Sequence, residues 1–356
     1  MPSFRAPKTI LVTGPAGFIG SNFVRQFRAR FPKTRIIGID NFSTGRRDAI
    51  HPDLILYKGS ITDIQLLDRL FRKHKPEYIF HFAALPRVSY SVEHPTETTI
   101  ANIVGTVALL EKAREYTVKR VIYSSSSSVY GGAKILPTRE DENPPQPVSP
   151  YGLQKYTGEP FCKMFSDLFG VDTVSLRYFN VFGPGQYGSS PYSTVVSAWL
   201  EGLYFPKKKK IFIPLEIVPC RSVARVTDRN KLRRGLHALA FLTGFIEGDG
   251  RQSRDFCYVD NVVEANIRAM QARGPLCGAA LNIANGERTN LLTVKRLIEK
   301  YTGHTLKLAR LKPRVGDVRH THADISKAHR LIGYKPSVGF REGIERTIAW
   351  FEKRTR

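Results

Sequence analysis

Lys8 to Gly20 reads KTILVTGPAGFIG. An apolar run, KTILVT, ends at a cluster of glycines, and the residues behind it, SNFVRQFRARF, carry apolar side chains at helical spacing. Strand, Gly-rich turn and helix in that order form a phosphate cradle. The backbone must turn tightly and approach a pyrophosphate closely, which a residue without Cβ permits, and the helix N-terminus then offers N–H donors and a favourable dipole. Gly14, Gly17 and Gly20 set the spacing, with Phe18 and Ile19 between them. Alone, such spacing fits any tight βα turn. Here a second strand, RIIGID, follows and ends in Asp40, twenty residues after Gly20. A carboxylate there accepts both ribose hydroxyls and repels a 2′-phosphate, which favours NAD over NADP. Arg46 and Arg47 lean the other way, because nearby guanidiniums tolerate the extra phosphate. Pro15 fits the turn only with φ near −65°.

Outward from this turn, further apolar runs at YIFHFAA (78–84) and KRVIYSSS (119–126) alternate with helical patterns such as IANIVGTVALLEKAREY (100–116). Strands alternating with helices imply an α/β fold, a Rossmann-type doubly wound parallel sheet. Past residue 180 the alternation gives way to Pro/Gly-rich stretches such as NVFGPGQYGSSPYS, consistent with a smaller C-terminal substrate-binding lobe. The expected division is an NAD-binding domain over 1–180, to which later segments add, and a substrate lobe over 181–356.

A chain of 356 residues with 42% hydrophobic and 11% aromatic residues buries a substantial core, and it has no 18-residue apolar run. The N-terminus passes directly from a short basic lead into a strand without a secretory pattern, so a cytoplasmic location is expected. Cys162, Cys220, Cys257 and Cys277 lie far apart without zinc spacing, and His304, His320, His322 and His329 lack a third convergent ligand; no metal is expected. The formal charge is +24, and Lys207 to Arg234 alone holds ten basic residues against Glu216 and Asp228. Charge of this size suits nucleic acid, an anionic surface or an anionic small substrate equally.

SPYGLQK pairs Tyr151 with Lys155 at i and i+4, one face of a helix, so the ammonium can favour the deprotonated phenol. A free Tyr titrates near about 10, so a base working near neutrality needs that help. Such a pair is common on surface helices; beside the Ser cluster SSSSSVYG and a dinucleotide turn it points to catalysis.

These motifs, with IDNFSTGRR, HFAAL, NIVGT, LRYFNVFGP, EGDGRQSRDFCYVDN and PRVGDVRHTHADISKA, resemble the extended short-chain dehydrogenase/reductase superfamily, and within it the UDP-sugar 4-epimerases. The resemblance spans nearly the whole chain except about 207–243. It implies that Tyr151 is the base, that Lys155 lowers its pKa and holds the nicotinamide ribose, and that Ser126 bonds the reacting hydroxyl, with Ser127 a second partner. Phe82, Ala83, Ala84, Asn102 and Phe179 would line the NAD site, and Asp40, Asn41, Ser43 and Thr44 would hold its adenosine ribose. Asn180, Arg254, Arg314 and Asp317 would bind the UDP-sugar. Many members carry an Asp after the Gly of the third strand; here Gly59-Ser60-Ile61 stands in its place, leaving Ser60 as a partial substitute at the adenine. The implied reaction is redox-neutral: the Tyr151 phenolate takes the C4 hydroxyl proton as the C4 hydride passes to NAD, and the resulting 4-keto sugar turns about its diphosphate and takes the hydride back on its other face.

Related 4,6-dehydratases carry an acidic pair where this chain has Ser127-Ser128, so dehydration and decarboxylation are disfavoured. In the 4-epimerases the residue three before the Asp of A-D-x-S-K gates the sugar C2 substituent, and a bulky Tyr there excludes N-acetyl. The match is Thr321, which implies UDP-GlcNAc/UDP-GalNAc, beside UDP-Glc/UDP-Gal. Another sugar-nucleotide activity of the superfamily, uronate epimerisation, reduction or dehydration, is the alternative. The resemblance also implies a homodimer through helices flanking Tyr151.

Two features lie outside this pattern. A basic insertion of about thirty residues occupies about 207–243, where KLRRGLHALAFLTG has the makings of an amphipathic basic helix and a solvated loop is the plainer reading. LTGFIEGDG also resembles the LAGLIDADG signature helix of homing endonucleases. The residues after it, QSRDFCYVDNVVEANIRAM, continue the epimerase pattern, so nucleic acid is not the expected partner.

Overall fold

The computed structural model describes residues 4–86, 88–188, 194–206, 242–312 and 318–355. The basic stretch from 207 to 241 therefore lies outside the described residues, as do Arg314, Asp317 and Cys220.

Strands β1 (Thr9–Thr13), β2 (Arg35–Asp40), β3 (Ile55–Lys58), β4 (Tyr78–His81), β5 (Arg120–Ser126) and β6 (Thr173–Tyr178) precede two short lobe strands, β7 (Gly244–Glu247) and β8 (Ser253–Arg254); β9 (Ala279–Ile283) follows. Seven of these form one parallel sheet in the order β3-β2-β1-β4-β5-β6-β9. β1 is buried on both faces, which is why TILVT is an unbroken apolar run rather than an alternating one. Its side chains still alternate: Ile10 and Val12 join one core with Phe23 and Phe27, while Leu11 joins the other with Leu67 and Leu109. Helices Phe18–Arg30 and Val259–Gln271 cover the first face; Ile64–His74, Gly105–Glu115 and Pro150–Phe169 cover the second. The seventh strand is drawn from beyond residue 181, so the C-terminal half contributes to the sheet as well as to the smaller lobe.

That lobe has its own core around Phe182, Trp199, Val294, Ile344 and Phe351. Within it, β7 pairs in parallel with β11 (Leu308–Leu311), and β10 (Thr289–Asn290) pairs with β8. Gly244 to Glu247 is thus a strand, not part of the helix that the endonuclease likeness requires, and Gly248 and Gly250 turn the chain with φ of 64° and 77°. Among the described residues no helix is long and apolar enough to cross a membrane.

Candidate active site

The sheet order reverses direction between β1 and β4, and a crevice opens outside their C-terminal ends, where open α/β sheets bind ligands. A cleft of about 1120 Å³ lies there. Its floor is the Gly-rich turn. Gly14 takes φ of 70°, and a Cβ on Gly20 would stand 2.2 Å from the Gly14 carbonyl oxygen, so the turn closes only with glycine at both. Helix Phe18–Arg30 then begins at Gly17 with no side-chain cap and no acidic residue in its first turn. Its N–H groups remain available to an anion.

Asp40 ends β2 at the cleft wall, its Oδ2 accepting from Ala16 N at 2.9 Å and its Oδ1 from Phe42 N at 2.8 Å. Burial pushes its pKa up against those two donors. A carboxylate has about four acceptor positions, so two remain for a ribose diol. Arg46, which sequence alone left able to accept a 2′-phosphate, instead pairs with Asp48 through both Nε and Nη2, at 2.9 and 2.6 Å. Arg47 lies over the Phe42 ring, 5.4 Å from its centroid. Asn41, Ser43 and Thr44 line the same end, Asn41 accepting from Ser43 N at 3.0 Å. Ser60 and Ile61 also reach the cleft, with the Ser60 hydroxyl bonded to Thr62 Oγ1 at 2.8 Å. An uncapped helix end, a ribose-directed carboxylate and an Arg46 already paired with Asp48 fit NAD.

Phe82, Ala83 and Ala84 follow β4 into the cleft, and a buried chain of hydrogen bonds sets their path. Ala83 N donates to Thr13 Oγ1 at 3.0 Å, which meets His81 Nδ1 at 2.8 Å; His81 Nε2 meets Thr106 Oγ1 at 2.9 Å, and Thr106 donates to Asn102 O at 2.7 Å. Because the Thr106 proton is committed to Asn102 O, His81 is neutral with its proton on Nε2; burial pushes its pKa down to about 3. Asn102 does not line the cleft. It is buried behind it, accepting from Leu85 N at 2.8 Å and donating to Gln154 Oε1 at 2.8 Å. Phe179 likewise sits behind the wall, packed with Tyr130, Ala284 and Ala323.

Helix Pro150–Phe169 brings Tyr151 and Lys155 to the end of β5. Ser149 caps it by accepting from Gly152 N at 3.1 Å, and Pro150 takes the first turn, where its missing N–H costs nothing. Gly158 lets the helix lie against β5, since a Cβ there would stand 2.4 Å from the Tyr123 hydroxyl. A buried ion pair fastens the same face, Arg177 Nη2 to Glu159 Oε2 at 2.6 Å, with Ser125 also donating to Glu159. Tyr151, Lys155, Ser126 and Ser127 consequently share the cleft. Burial pushes the Tyr151 phenol up to about 12, opposed by its hydrogen bond with Ser126. Burial also pulls Lys155 down to about 7, and its Nζ donates to Ser124 O at 2.7 Å. Ser126 is the hydrogen-bond partner of the phenol in this arrangement. The turn after β5, Ser127–Tyr130, carries no carboxylate.

On the lobe side Asn180, held at φ of 33°, lines the cleft and donates to Asp255 O at 3.1 Å and Thr321 Oγ1 at 3.2 Å. Thr321 Oγ1 also accepts from Asp255 N at 3.1 Å, and Arg254 donates to Arg319 O at 3.2 Å. Thr321 thus meets the cleft wall at Asn180, and Arg254 directly precedes Asp255 in the same loops. Sequence reasoning missed Asp255, which joins these parts: fully buried, it accepts from Asn285 N at 2.9 Å, from Ala323 N at 3.1 Å and from Gly286 N. Its only sequence signal is a carboxylate between Arg254 and an apolar run. His320 and His322 serve the same loops, bonding Ser253 Oγ at 2.8 Å and Gly286 O at 3.1 Å.

A dinucleotide cleft at a sheet switch point, with a Ser, a Tyr and a Lys at its inner end, defines a nucleotide-dependent enzyme of the short-chain dehydrogenase type. The NAD dependent epimerase/dehydratase family matches residues 10–284, and the chain belongs to it. A relative described as a putative UDP-glucose 4-epimerase, from Methanocaldococcus jannaschii, is 32% identical over 98% of this chain and 99% of its own length. Among solved structures, UDP-glucose 4-epimerase from Thermotoga maritima with UDP-glucose aligns with a TM-score of 0.83 at 33% identity, covering 98% of this chain and all of that one. UDP-N-acetylglucosamine 4-epimerase from Methanobrevibacter ruminantium, in complex with UDP-N-acetylmuramic acid, aligns with 0.81 at 30%, over 98% and 100%. UDP-glucuronic acid 4-epimerase from Bacillus cereus, with UDP-glucuronic acid and NAD, aligns with 0.79 at 27%, over 97% and 99%. The chain is an NAD-dependent UDP-sugar 4-epimerase, an isomerase.

Proposed function

We propose that the sugar is an N-acetylhexosamine, interconverted between UDP-GlcNAc and UDP-GalNAc, with UDP-Glc/UDP-Gal as a second pair. The observation that carries this reading is Thr321. Its hydroxyl is held by Asn180 Nδ2 and Asp255 N, which leaves only a methyl group to occupy space where the resemblance places the C2 substituent. The chemistry that NAD supplies when bound is acceptance and return of a hydride at the sugar C4. Tyr151 takes the C4 hydroxyl proton, Ser126 aligns that hydroxyl, and Lys155 holds the nicotinamide ribose and, when charged, favours the phenolate. With no carboxylate on Ser127–Tyr130, nothing on that turn expels water from the ketone.

Purified enzyme is incubated with UDP-GlcNAc, UDP-Glc and UDP-GlcA separately, without added NAD, and products are resolved by NMR. C4 epimers of UDP-GlcNAc are expected, and Thr321→Tyr is expected to abolish them while sparing UDP-Glc turnover. Turnover of UDP-Glc or UDP-GlcA without any of UDP-GlcNAc overturns the assignment.

The proposed assembly is a homodimer. Helices Gly105–Glu115 and Pro150–Phe169 pack side by side, and the neighbouring surface exposes Ile100, Val104, Leu153, Met164 and Leu168, the last 70% exposed. A second copy covering that surface removes the patch from water. Light scattering that gives a monomer mass at micromolar concentration refutes it.

A further inference from the structure

At the ribose end of the cleft, two parts of the chain far apart in sequence meet through one ring. Arg46 and Asp48 lie on the rim after β2, beyond Ser43 and Thr44. Tyr187 and Trp350 lie on the opposite rim, and all four line the cleft. The Arg46 guanidinium carbon is 4.3 Å from the Tyr187 ring centroid, and the Arg354 guanidinium carbon is 4.4 Å from the same centroid. Arg354 also lies over Trp350 at 4.6 Å and Phe205 at 4.5 Å, while Trp350 meets Tyr187 edge-on at 5.4 Å. Carboxylates neutralise both cations: Asp48 pairs with Arg46 at 2.6 Å, and Glu201 with Arg354 at 3.2 Å.

We propose that Tyr187, in contact with both Arg46 and Arg354, is a clasp that closes the cofactor cleft across its rim and slows NAD release. Attractive contacts between cation and ring join the two rims only while the clasp is shut, so opening the cleft must break the Arg46 contact. Arg46 N also donates to Ala16 O at 3.0 Å, which ties the clasp to the backbone of the phosphate turn itself. A redox-neutral enzyme regenerates its cofactor every cycle and has no need to exchange it, so retention is the property this geometry serves. Tyr187 is here a positioning residue: it acts through the rims and on cofactor residence.

The test measures NAD dissociation from holoenzyme, with freed NAD captured by an excess of a second NAD-binding protein. Parent, Tyr187→Leu, Tyr187→Phe and Arg46→Gln are compared, and the melting temperature of each NAD-free protein is recorded beside the rate. Tyr187→Leu is expected to release NAD about tenfold faster, equivalent to about 1.4 kcal/mol. Tyr187→Phe keeps the ring and is expected to stay within about twofold of the parent, because the contact uses the ring face. Arg46→Gln is expected to fall between them. Release from Tyr187→Leu at the parental rate, or from Tyr187→Phe as fast as from Tyr187→Leu, overturns the proposal. Should Tyr187→Leu fail to fold, Arg46→Gln decides: faster release supports the clasp, and a parental rate overturns it.

Discussion

Asp255→Asn is expected to lower stability by an amount that depends on pH in a stated direction. The Asp255 carboxyl is fully buried, and burial pushes its pKa from 3.8 up to about 7 even though backbone donors from Ala323, Asn285 and Gly286 oppose the shift. A raised folded-state pKa means that the native protein binds a proton that the unfolded chain does not bind between about pH 4 and 7. This contribution is therefore fully present below the unfolded pKa and is lost as pH rises through about 7. At about 1.4 kcal/mol per unit the whole shift is worth on the order of 4 kcal/mol, more than half of which develops between pH 8 and pH 5. Asn cannot titrate, so the variant lacks that gain. Its amide nitrogen also faces a backbone N–H, which adds roughly 1–3 kcal/mol at every pH. Urea denaturation of both proteins at pH 5 and pH 8, with NAD held at one concentration, measures the gap. It is expected to be larger at pH 5 by roughly 2–3 kcal/mol. Because the Asp255 carboxylate fixes the backbone at Asn285 and at Ala323, two residues after Thr321, KM for the UDP-sugar is expected to rise more than kcat falls. A stability gap equal at the two pH values refutes the titration argument, and an unchanged KM refutes the positioning argument.

Two further substitutions probe the site from different sides. Tyr151→Phe is expected to lose about 10²–10⁴-fold in kcat while retaining NAD, since only the proton acceptor is removed; a loss smaller than tenfold argues against Tyr151 as the base. Glu159→Gln leaves Arg177 buried without its counter-charge behind β5 and is expected to cost about 3–5 kcal/mol in denaturant unfolding; a cost under about 1 kcal/mol means that water or another acceptor compensates the guanidinium.

Much of the site was legible in one dimension because its chemistry depends on local spacing. The turn Gly14 to Gly20 is a few residues of backbone, and Asp40 ends the strand beside it; Tyr151 and Lys155 share a helix face by periodicity alone. Those residues line one cleft with Ser126, Ser127 and Asn180. Other positions matched a motif without fixing what the side chain touches. Asn102 and Phe179 support the wall from behind, and Arg46 is taken up by Asp48 and Tyr187 instead of waiting for a phosphate. The likeness of LTGFIEGDG to a helix failed because β7 finds a partner strand, Leu308–Leu311, some sixty residues later, and no local pattern announces that pairing.

Sequence by itself determined the class of fold, the cofactor turn and the Ser, Tyr and Lys that meet at β5, because backbone sterics and strand or helix periodicity act over a few residues. Tertiary structure alone decided the environments. It put Tyr151 and Lys155 where burial moves their titration to about 12 and about 7. It gave His81 a single tautomer between two threonines, made the Asp255 carboxylate the acceptor for two separate stretches of backbone, and set two arginines against the Tyr187 ring. Desolvation, the pinning of a proton by its neighbours and stacking across a cleft all depend on residues distant in the chain, and only the packed fold brings those together.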